Sequence, residues 1–402
     1  MTKEARPIAT YATRLTVAAP AAIAAIELSG PSAQVYLQQF WRPATELPRC
    51  TNAIRYGAWT GPRSQIDAAE VSGNVQVAED VVICWTTQDT VEIHCHGGMQ
   101  AAKRILNDLK LCGAEIQTAH SRISSQTSDP YVAAALIDLE KTTTEITTSI
   151  LLDQARGALS RAMAEIKSFI ERNQETELRT GSTPRSELNN AEVIARISEL
   201  RSRQRYGLHL TQPWRLAIIG PPNSGKSSLL NVVLGYDRAI VDPTAGTTRD
   251  VLNENTSLLG WPFVLVDTAG LRDTNDSIER EGVEKAYGAI ETSDIILLLV
   301  EPAQGWKPRH EQVYQSHSSK CIAVHSKADL GLALPKIPSD LIATSMSAQT
   351  RQGLETLYEI ILKKLIPIPP QPGQAVPFRR EHIEQLDQWL NFLRDAPVLK
   401  LH

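Results

Sequence analysis

The chain has 402 residues, more than one hydrophobic core can organise, so two or three domains are expected. With 42% hydrophobic and 21% charged residues it reads as a soluble globular protein, and neither a membrane-length apolar run nor the apolar core of a signal peptide is present, which points to the cytoplasm and away from membranes. A net charge of −4 and a pI near 6.2 give no global signature of nucleic-acid binding, and five scattered cysteines without CxxC spacing imply reduced thiols and no disulfide framework.

In chain order, residues 1–119 mix short apolar runs with turn signals: Ala22 to Ile26, Ser29-Gly30-Pro31, Val81 to Cys84, and Val91 to His94. This predicts a small α+β domain. His94 and His96 share one face of a strand with Cys95 opposite, and a strand end turning at Gly97-Gly98 accounts for them better than a metal pair. From Tyr131 to Asn173 apolar residues recur at three- and four-residue intervals (Ile146, Ile150, Leu151, Leu159, Met163, Ile166, Ile170), which predicts one long amphipathic helix. Thr180 to Pro184 breaks the pattern, and Leu188, Ala191, Ile194, Ile197 and Leu200 restart it, giving a helical hairpin within residues 120–211. Arg201, Arg203 and Arg205 alternate and so do not share a helix face; they are expected on a solvated surface.

Residues 212–368 alternate apolar strands (Leu216 to Ile219, Phe263 to Val266, Ile295 to Val300, Ile322 to Val324) with helical stretches. That pattern predicts an α/β domain with a doubly wound, mostly parallel sheet. Ile366 to Gly373 is a stiff proline-rich exit, and Ile383, Leu386, Leu390 and Leu393 mark a last amphipathic helix in residues 369–402. If that helix returns to the earlier hairpin, the α/β domain is an insertion into an all-α helical domain.

Gly220-Pro221-Pro222-Asn223-Ser224-Gly225-Lys226-Ser227 lies between a strand and a helix and reads as a phosphate-binding loop. Its glycines let the backbone curl so that N–H groups and the helix N-terminus face phosphate oxygens. Asn223, Ser224, Gly225 and Ser228 belong to the same cradle, Lys226 reaches the β and γ phosphates, and Ser227 can ligate Mg²⁺. Asp267-Thr268-Ala269-Gly270 follows the strand ending at Val266, where Asp267 can hold Mg²⁺ through water and the Gly270 N–H can touch the γ-phosphate. Between them, Thr247 or Thr248 can complete the Mg²⁺ shell from a polar loop.

Base choice is expected from Ser326-Lys327-Ala328-Asp329, because a carboxylate at Asp329 accepts both edge N–H donors of guanine and adenine offers no such pair. Lys327 can lay its stem on the base, and Ser347-Ala348 can give a backbone N–H to the guanine carbonyl. Ser326 stands where such sites usually carry Asn or Thr, so the guanine preference is expected to be intact but weaker. Leu271 cannot orient an attacking water as a glutamine would; Glu279 and Glu281 in the acidic segment 273–281 are the candidates, against the reading of that segment as a solvated acidic loop.

Taken together, Gly220 to Asn231, Ala245 to Asp250 and Asp267 to Arg272 resemble the MnmE (TrmE) family of tRNA-modification GTPases, as do Leu28 to Pro31 and the more particular Val91-Glu92-Ile93-His94-Cys95-His96-Gly97-Gly98. The resemblance implies that Asn223 coordinates K⁺ in place of an arginine finger when two GTPase domains meet, and that Glu279 is the catalytic glutamate. It also implies a homodimer formed through the N-terminal domain, a formyl-tetrahydrofolate one-carbon donor bound there, and a flavin-dependent partner acting with the chain on the wobble uridine of tRNA.

Departures from that family accompany the match. Its Cys-x-Gly-Lys tail has no counterpart in Ala396 to His402, and Ala18 to Ala22 replaces a glycine-rich turn. Glu27 stands where a basic residue is usual, Trp85-Thr86-Thr87-Gln88-Asp89 departs from Tyr-Thr-Gly-Glu-Asp, and no Gly-Glu-Phe-Thr segment lies between Ala119 and Tyr131. The helical domain is therefore expected shortened at both ends. Two rival expectations follow: a divergent paralog working as a nucleotide-dependent interaction switch without tRNA-modifying activity, or a P-loop ATPase in which Asp329 is incidental.

Overall fold

The computed structural model describes residues 9–19, 21–45, 50–61, 78–180, 190–236, 254–266, 288 and 290–395. These fall into two compact units, residues 9–128 and 129–395.

The first unit is a seven-stranded sheet built from β1 (Tyr11–Arg14), β2 (Ile23–Ser29), β3 (Trp41–Pro43), β4 (Ile54–Trp59), β5 (Glu79–Trp85), β6 (Thr90–His96) and β7 (Glu115–Gln117). Their order is β3-β4-β5-β6-β2-β1-β7, antiparallel except where β7 lies parallel to β1. Period-two alternation turns Val81, Ile83 and Trp85 of β5, and Val91, Ile93 and Cys95 of β6, into the core. There they meet Leu37 and Phe40 of α1 (Ala33–Phe40), and Ile105 and Leu109 of α2 (Met99–Leu111). Buried Trp59 stacks on Phe40 at 5.3 Å between ring centroids, and its indole N–H donates to Asp108 Oδ2 at 2.9 Å.

His94 and His96 lie opposite Cys95, as the alternation requires, and each faces a carboxylate: His94 Nε2 is 3.2 Å from Glu92 and His96 Nδ1 is 2.5 Å from Glu79. At Gly97 the chain passes so close to Ala21 that a Cβ would stand 1.9 Å from the Ala21 carbonyl oxygen. Only glycine allows that approach. Glu27 is buried on β2 and accepts from Arg122 of α3 (Ala119–Gln126) through both carboxylate oxygens, at 2.5 Å each.

The second unit begins with α4 (Pro130–Asp138), α5 (Glu145–Ala155), α6 (Ala158–Thr180) and α7 (Asn190–Ser202). The single long helix expected from Tyr131 to Asn173 is thus three helices. Thr144 starts α5 by accepting from the Thr147 N–H, and Gly157, at φ +89°, takes a left-handed conformation that stops α5 and restarts the chain as α6. The apolar spacing runs on across both breaks because Leu151, Leu159, Met163, Ile166 and Ile170 all enter one core.

Next come β8 (Trp214–Ile219), α8 (Lys226–Tyr236), β9 (Glu254–Leu258), β10 (Trp261–Val266), β11 (Ile295–Val300), α9 (Pro308–His317), β12 (Cys321–His325), β13 (Ala343–Ser345), α10 (Leu354–Leu365) and α11 (Arg380–Asp395). The six strands run β13-β12-β11-β8-β10-β9, all parallel except the edge strand β9, which is antiparallel to β10. Every residue of β10, β11 and β12 is buried, as parallel strands covered on both faces must be. One face packs Leu297 and Leu299 with Leu357 and Ile361 of α10, and the other packs Ile296 and Leu298 with Val313 of α9. This is a mixed sheet with helices on both sides.

Helix α11 packs on α7, with Leu386, Leu390 and Leu393 in the same core as Val193, Ile197 and Leu200. Two of the three arginines expected on a solvated surface are anchors instead. Arg201 pairs with Asp387, and Arg203 donates to the Ala375 carbonyl at 2.9 Å and to Glu199 at 2.5 Å; only Arg205 is exposed. Isolated spacing hid this because Asp387 and Ala375 are remote in sequence. Arg379 donates to Asp138 Oδ2 at 2.7 Å and to the Ala134 carbonyl at 3.0 Å, tying the start of α11 to α4.

Candidate functional site

Strand β8 ends at Ile219, and the chain turns at once into the phosphate-type loop. A Cβ at Gly220 would stand 2.5 Å from Ser224 Oγ and 3.0 Å from both Leu299 Cβ and its carbonyl oxygen, so this position has no room for a side chain. Asn223 and Gly225 take positive φ, +62° and +95°, while Ser224 between them does not. That alternation turns successive N–H groups toward one concavity, the geometry that holds an anion. Asparagine tolerates the left-handed region better than other side chains, which explains the one non-glycine residue accepted there.

Ser224 is fully buried and its hydroxyl has no partner, while Asn223, Ser227 and Ser228 are exposed. Helix α8 opens at Lys226, and the Leu229 N–H donates back to the Gly225 carbonyl at 2.9 Å. Lys226 Nζ donates to the carbonyls of Gly220 at 2.9 Å and Pro221 at 2.8 Å. The concave loop, its lysine and the positive end of α8 together form an anion site.

Beside this loop lies a cavity of about 220 Å³ lined by Gly220, Pro221, Pro222, Lys226, Lys307, Arg309 and His310. Burial holds the His310 imidazole below its ordinary pKa, and its Nδ1 accepts from the Lys307 N–H at 3.1 Å, fixing the first turn of α9. No local pattern joins Lys307 and Arg309 to the site, because they sit a strand and a turn away from any motif.

The expected base-reading segment emerges from the end of β12. Lys327 is left-handed at φ +57°, Asp329 is exposed, and the Ala328 N–H donates to the Met346 carbonyl at 3.1 Å. Ser347 is buried, its N–H donates to the Gln352 carbonyl at 3.0 Å, and its hydroxyl accepts from the Thr350 N–H at 3.2 Å; Ala348 is half-buried beside it. Segments 326–329 and 345–348 are therefore stitched together, as one recognition surface requires. Lys327 Nζ lies 2.5 Å from Glu301 Oε1, and that bond, with help from Gln304, holds the Glu301 carboxyl below the ordinary range.

Ser326 is buried with a hydroxyl that has no partner, and a Cβ at Gly225 would lie 3.9 Å from Ser326 Cβ. The phosphate loop and the base loop thus meet at Ser326. Thr247, Thr248, Asp267, Gly270, Glu279 and Glu281 lie outside the described residues; β10, which leads to Asp267, is in place next to β8.

Comparison with known proteins matches residues 7–122 to the family model described as GTP-binding protein TrmE N-terminus, and residues 215–327 to the one described as 50S ribosome-binding GTPase. The tRNA modification GTPase MnmE of Lactiplantibacillus plantarum is 31% identical over 401 residues, covering 93% of this chain and 85% of that protein. The protein of the same name from Lacticaseibacillus paracasei is 33% identical over 382 residues, covering 89% of this chain and 81% of that one. Among solved structures, Aquifex aeolicus Era bound to GDP.AlF4- is 32% identical over 41% of this chain and 59% of that one, with a TM-score of 0.31.

Proposed function

Because the chain belongs to the MnmE family of tRNA modification GTPases and is a GTP hydrolase, we propose that it couples GTP hydrolysis to modification of the wobble uridine of tRNA. The observation that supports this best is the meeting of two specialised loops: an anion cradle at 220–226 and a guanine-type carboxylate at Asp329, joined at Ser326. Asn223, Ser224, Gly225, Lys226, Ser227 and Ser228 would hold the phosphates, Lys327 and Asp329 the base, and Ser347 and Ala348 its carbonyl.

The donors suit the ions proposed. Ser227 presents an exposed hydroxyl at the first turn of α8, a hard oxygen of the kind Mg²⁺ accepts, with Thr248 and the water-bridged Asp267 completing the set. Asn223 presents an exposed amide oxygen at the loop's left-handed turn, which suits K⁺. The cations would neutralise charge on the phosphates, Gly270 would report the γ-phosphate, and Glu279 would orient the attacking water. A formyl-tetrahydrofolate in the N-terminal unit rests on family resemblance; two of that unit's carboxylates are already paired, Glu27 with Arg122 and Glu79 with His96, and none of the chemistry above passes through it.

Further parts of the proposal are a cytoplasmic homodimer stimulated by K⁺ when its GTPase domains meet, a flavin-dependent partner, and a helical domain (120–211 and 369–402) interrupted by the GTPase domain (212–368). Among the described residues no helix is long and apolar enough to cross a membrane. GTP turnover by the full chain in KCl and in NaCl, with wild type and Asn223→Ala, tests the cation role. Faster turnover in KCl, lost in the variant, supports it; equal rates in both salts sink it.

A further inference from the structure

Ser326 poses a specific problem for the guanine site. It lies at the junction of the two loops, yet its hydroxyl is buried without a partner and makes no bond to the phosphate loop. The junction is nonetheless bridged by a route that begins on a different strand. Glu301 follows the last residue of β11, and its Oε1 accepts from Lys327 Nζ at 2.5 Å. Its other oxygen, Oε2, accepts from Gln304 Nε2, and the same amide lies 3.3 Å from the Pro222 carbonyl, which it can also reach as a donor. The turn carrying both side chains is closed by the Gln304 and Gly305 N–H groups donating to the Glu301 carbonyl, at 3.0 and 2.9 Å.

We propose that Glu301 and Gln304 are positioning residues for guanine recognition: they clamp Lys327 and the Asp329 loop to Pro222 of the phosphate loop, filling the bridging place that the short side chain of Ser326 leaves empty. The inference rests on the GTPase reading and names how that site keeps its base selectivity. A carboxylate at 8% exposure and paired on both oxygens is itself little open to water that could replace its two donors. Fixing the Lys327 ammonium also fixes its stem, on which a base would lie, and keeps Asp329 aimed at the two N–H donors of guanine. An asparagine at 326 would extend an amide toward the backbone around Gly225 and make the bridge directly.

The test is calorimetric titration of GDP and of IDP, which lacks the guanine 2-amino group, in Mg²⁺ buffer. The proteins are the full chain, Glu301→Gln, Gln304→Ala, and each variant combined with Ser326→Asn. The wild type should prefer GDP. Glu301→Gln should weaken GDP by about tenfold, the loss of a charge-assisted bond, and shrink the GDP-to-IDP preference; Gln304→Ala should do the same to a smaller degree. Ser326→Asn should recover the preference in both. Recovery from a different strand is not expected of residues that merely stabilise the fold. Gln304 is half-buried on a turn, so its variant carries the test if Glu301→Gln does not fold. A chain that binds neither nucleotide overturns the GTPase reading and the clamp with it. One that binds GDP, with folded variants that keep the wild-type preference or gain nothing from Ser326→Asn, overturns the clamp alone.

Discussion

Lys226 Nζ donates to the carbonyl oxygen of Gly220 at 2.9 Å, so the ammonium proposed to grip a triphosphate lies against the loop whose backbone would share the anion with it. Anionic phosphate oxygens bond an ammonium more strongly than neutral carbonyls do. Lys226→Ala should weaken GTP binding about a hundredfold or more, from two charge-assisted bonds of roughly 1.5–3 kcal/mol each. Fluorescent GTP-analogue titration checks this, and binding within a few-fold of wild type would remove Lys226 from the phosphate site.

Gly220 is fixed by sterics. A methyl there meets Ser224 Oγ at 2.5 Å and the Leu299 backbone at 3.0 Å, so Gly220→Ala must push the loop away from β11. Overpacking of this kind costs about 1–3 kcal/mol, and it should cost nucleotide affinity as well. Urea unfolding paired with GDP titration reads both, and a variant unchanged in each would show that the loop is not clamped at this point.

Gln154 carries the exit segment of the second unit. Fully buried on α5, it accepts from the Val376 N–H at 3.1 Å and donates to the Gln374 carbonyl at 3.0 Å, while Asp153 beside it accepts from the Gly373 N–H at 2.7 Å. Gln154→Leu keeps the volume and strands the Val376 N–H, which should cost about 1–3 kcal/mol. Urea midpoints measure it; a loss no larger than that of Asp153→Ala, whose partner is exposed and can turn to water, would contradict the role.

His382 links stability to pH. Burial first, then the neighbouring Arg379 guanidinium, push its pKa down to about 4 from 6.5 as it packs between the rings of Tyr131 and Phe378. Because the unfolded chain takes up the proton first, the stability that His382 contributes is complete above about pH 6.5 and drains away as pH falls toward about 4. His209, His310 and His325 are pushed the same way by burial, so His382→Phe should remove one share of the slope, about 1.4 kcal/mol per pH unit in that window. Urea midpoints from about pH 7 to 5 decide it, and an unchanged slope would contradict the assignment.

Much of this site was legible because its constraints are local. Gly220, Gly225 and Lys226 are dictated by a backbone that must curl and a phosphate that must be met, and the strand before them is apolar from Leu216 to Ile219. Residues 326–329 were legible for the same reason. Glu301 and Gln304 were not, since a glutamate closing an apolar strand reads like any solvated end; its run of six buried neighbours was the available signal. The breaks at Thr144 and Gly157 were missed because three helices share one core face, so the 3.6-residue period survived them. Edge strands β9 and β13 escaped because short polar strands carry little alternation. The anchoring of Arg201 and Arg203 depends on residues more than 170 positions away, which no local pattern reveals.

The most direct measurement of the central claim is nucleotide turnover with the base as the only variable. In Mg²⁺ and KCl the chain should hydrolyse GTP, a large excess of ATP should not slow it, and Asp329→Asn should shift the preference from GTP toward XTP, because an amide can donate to the 2-oxo group of xanthine. ATP turned over as fast as GTP, or an Asp329→Asn variant that keeps the wild-type preference, would contradict the account.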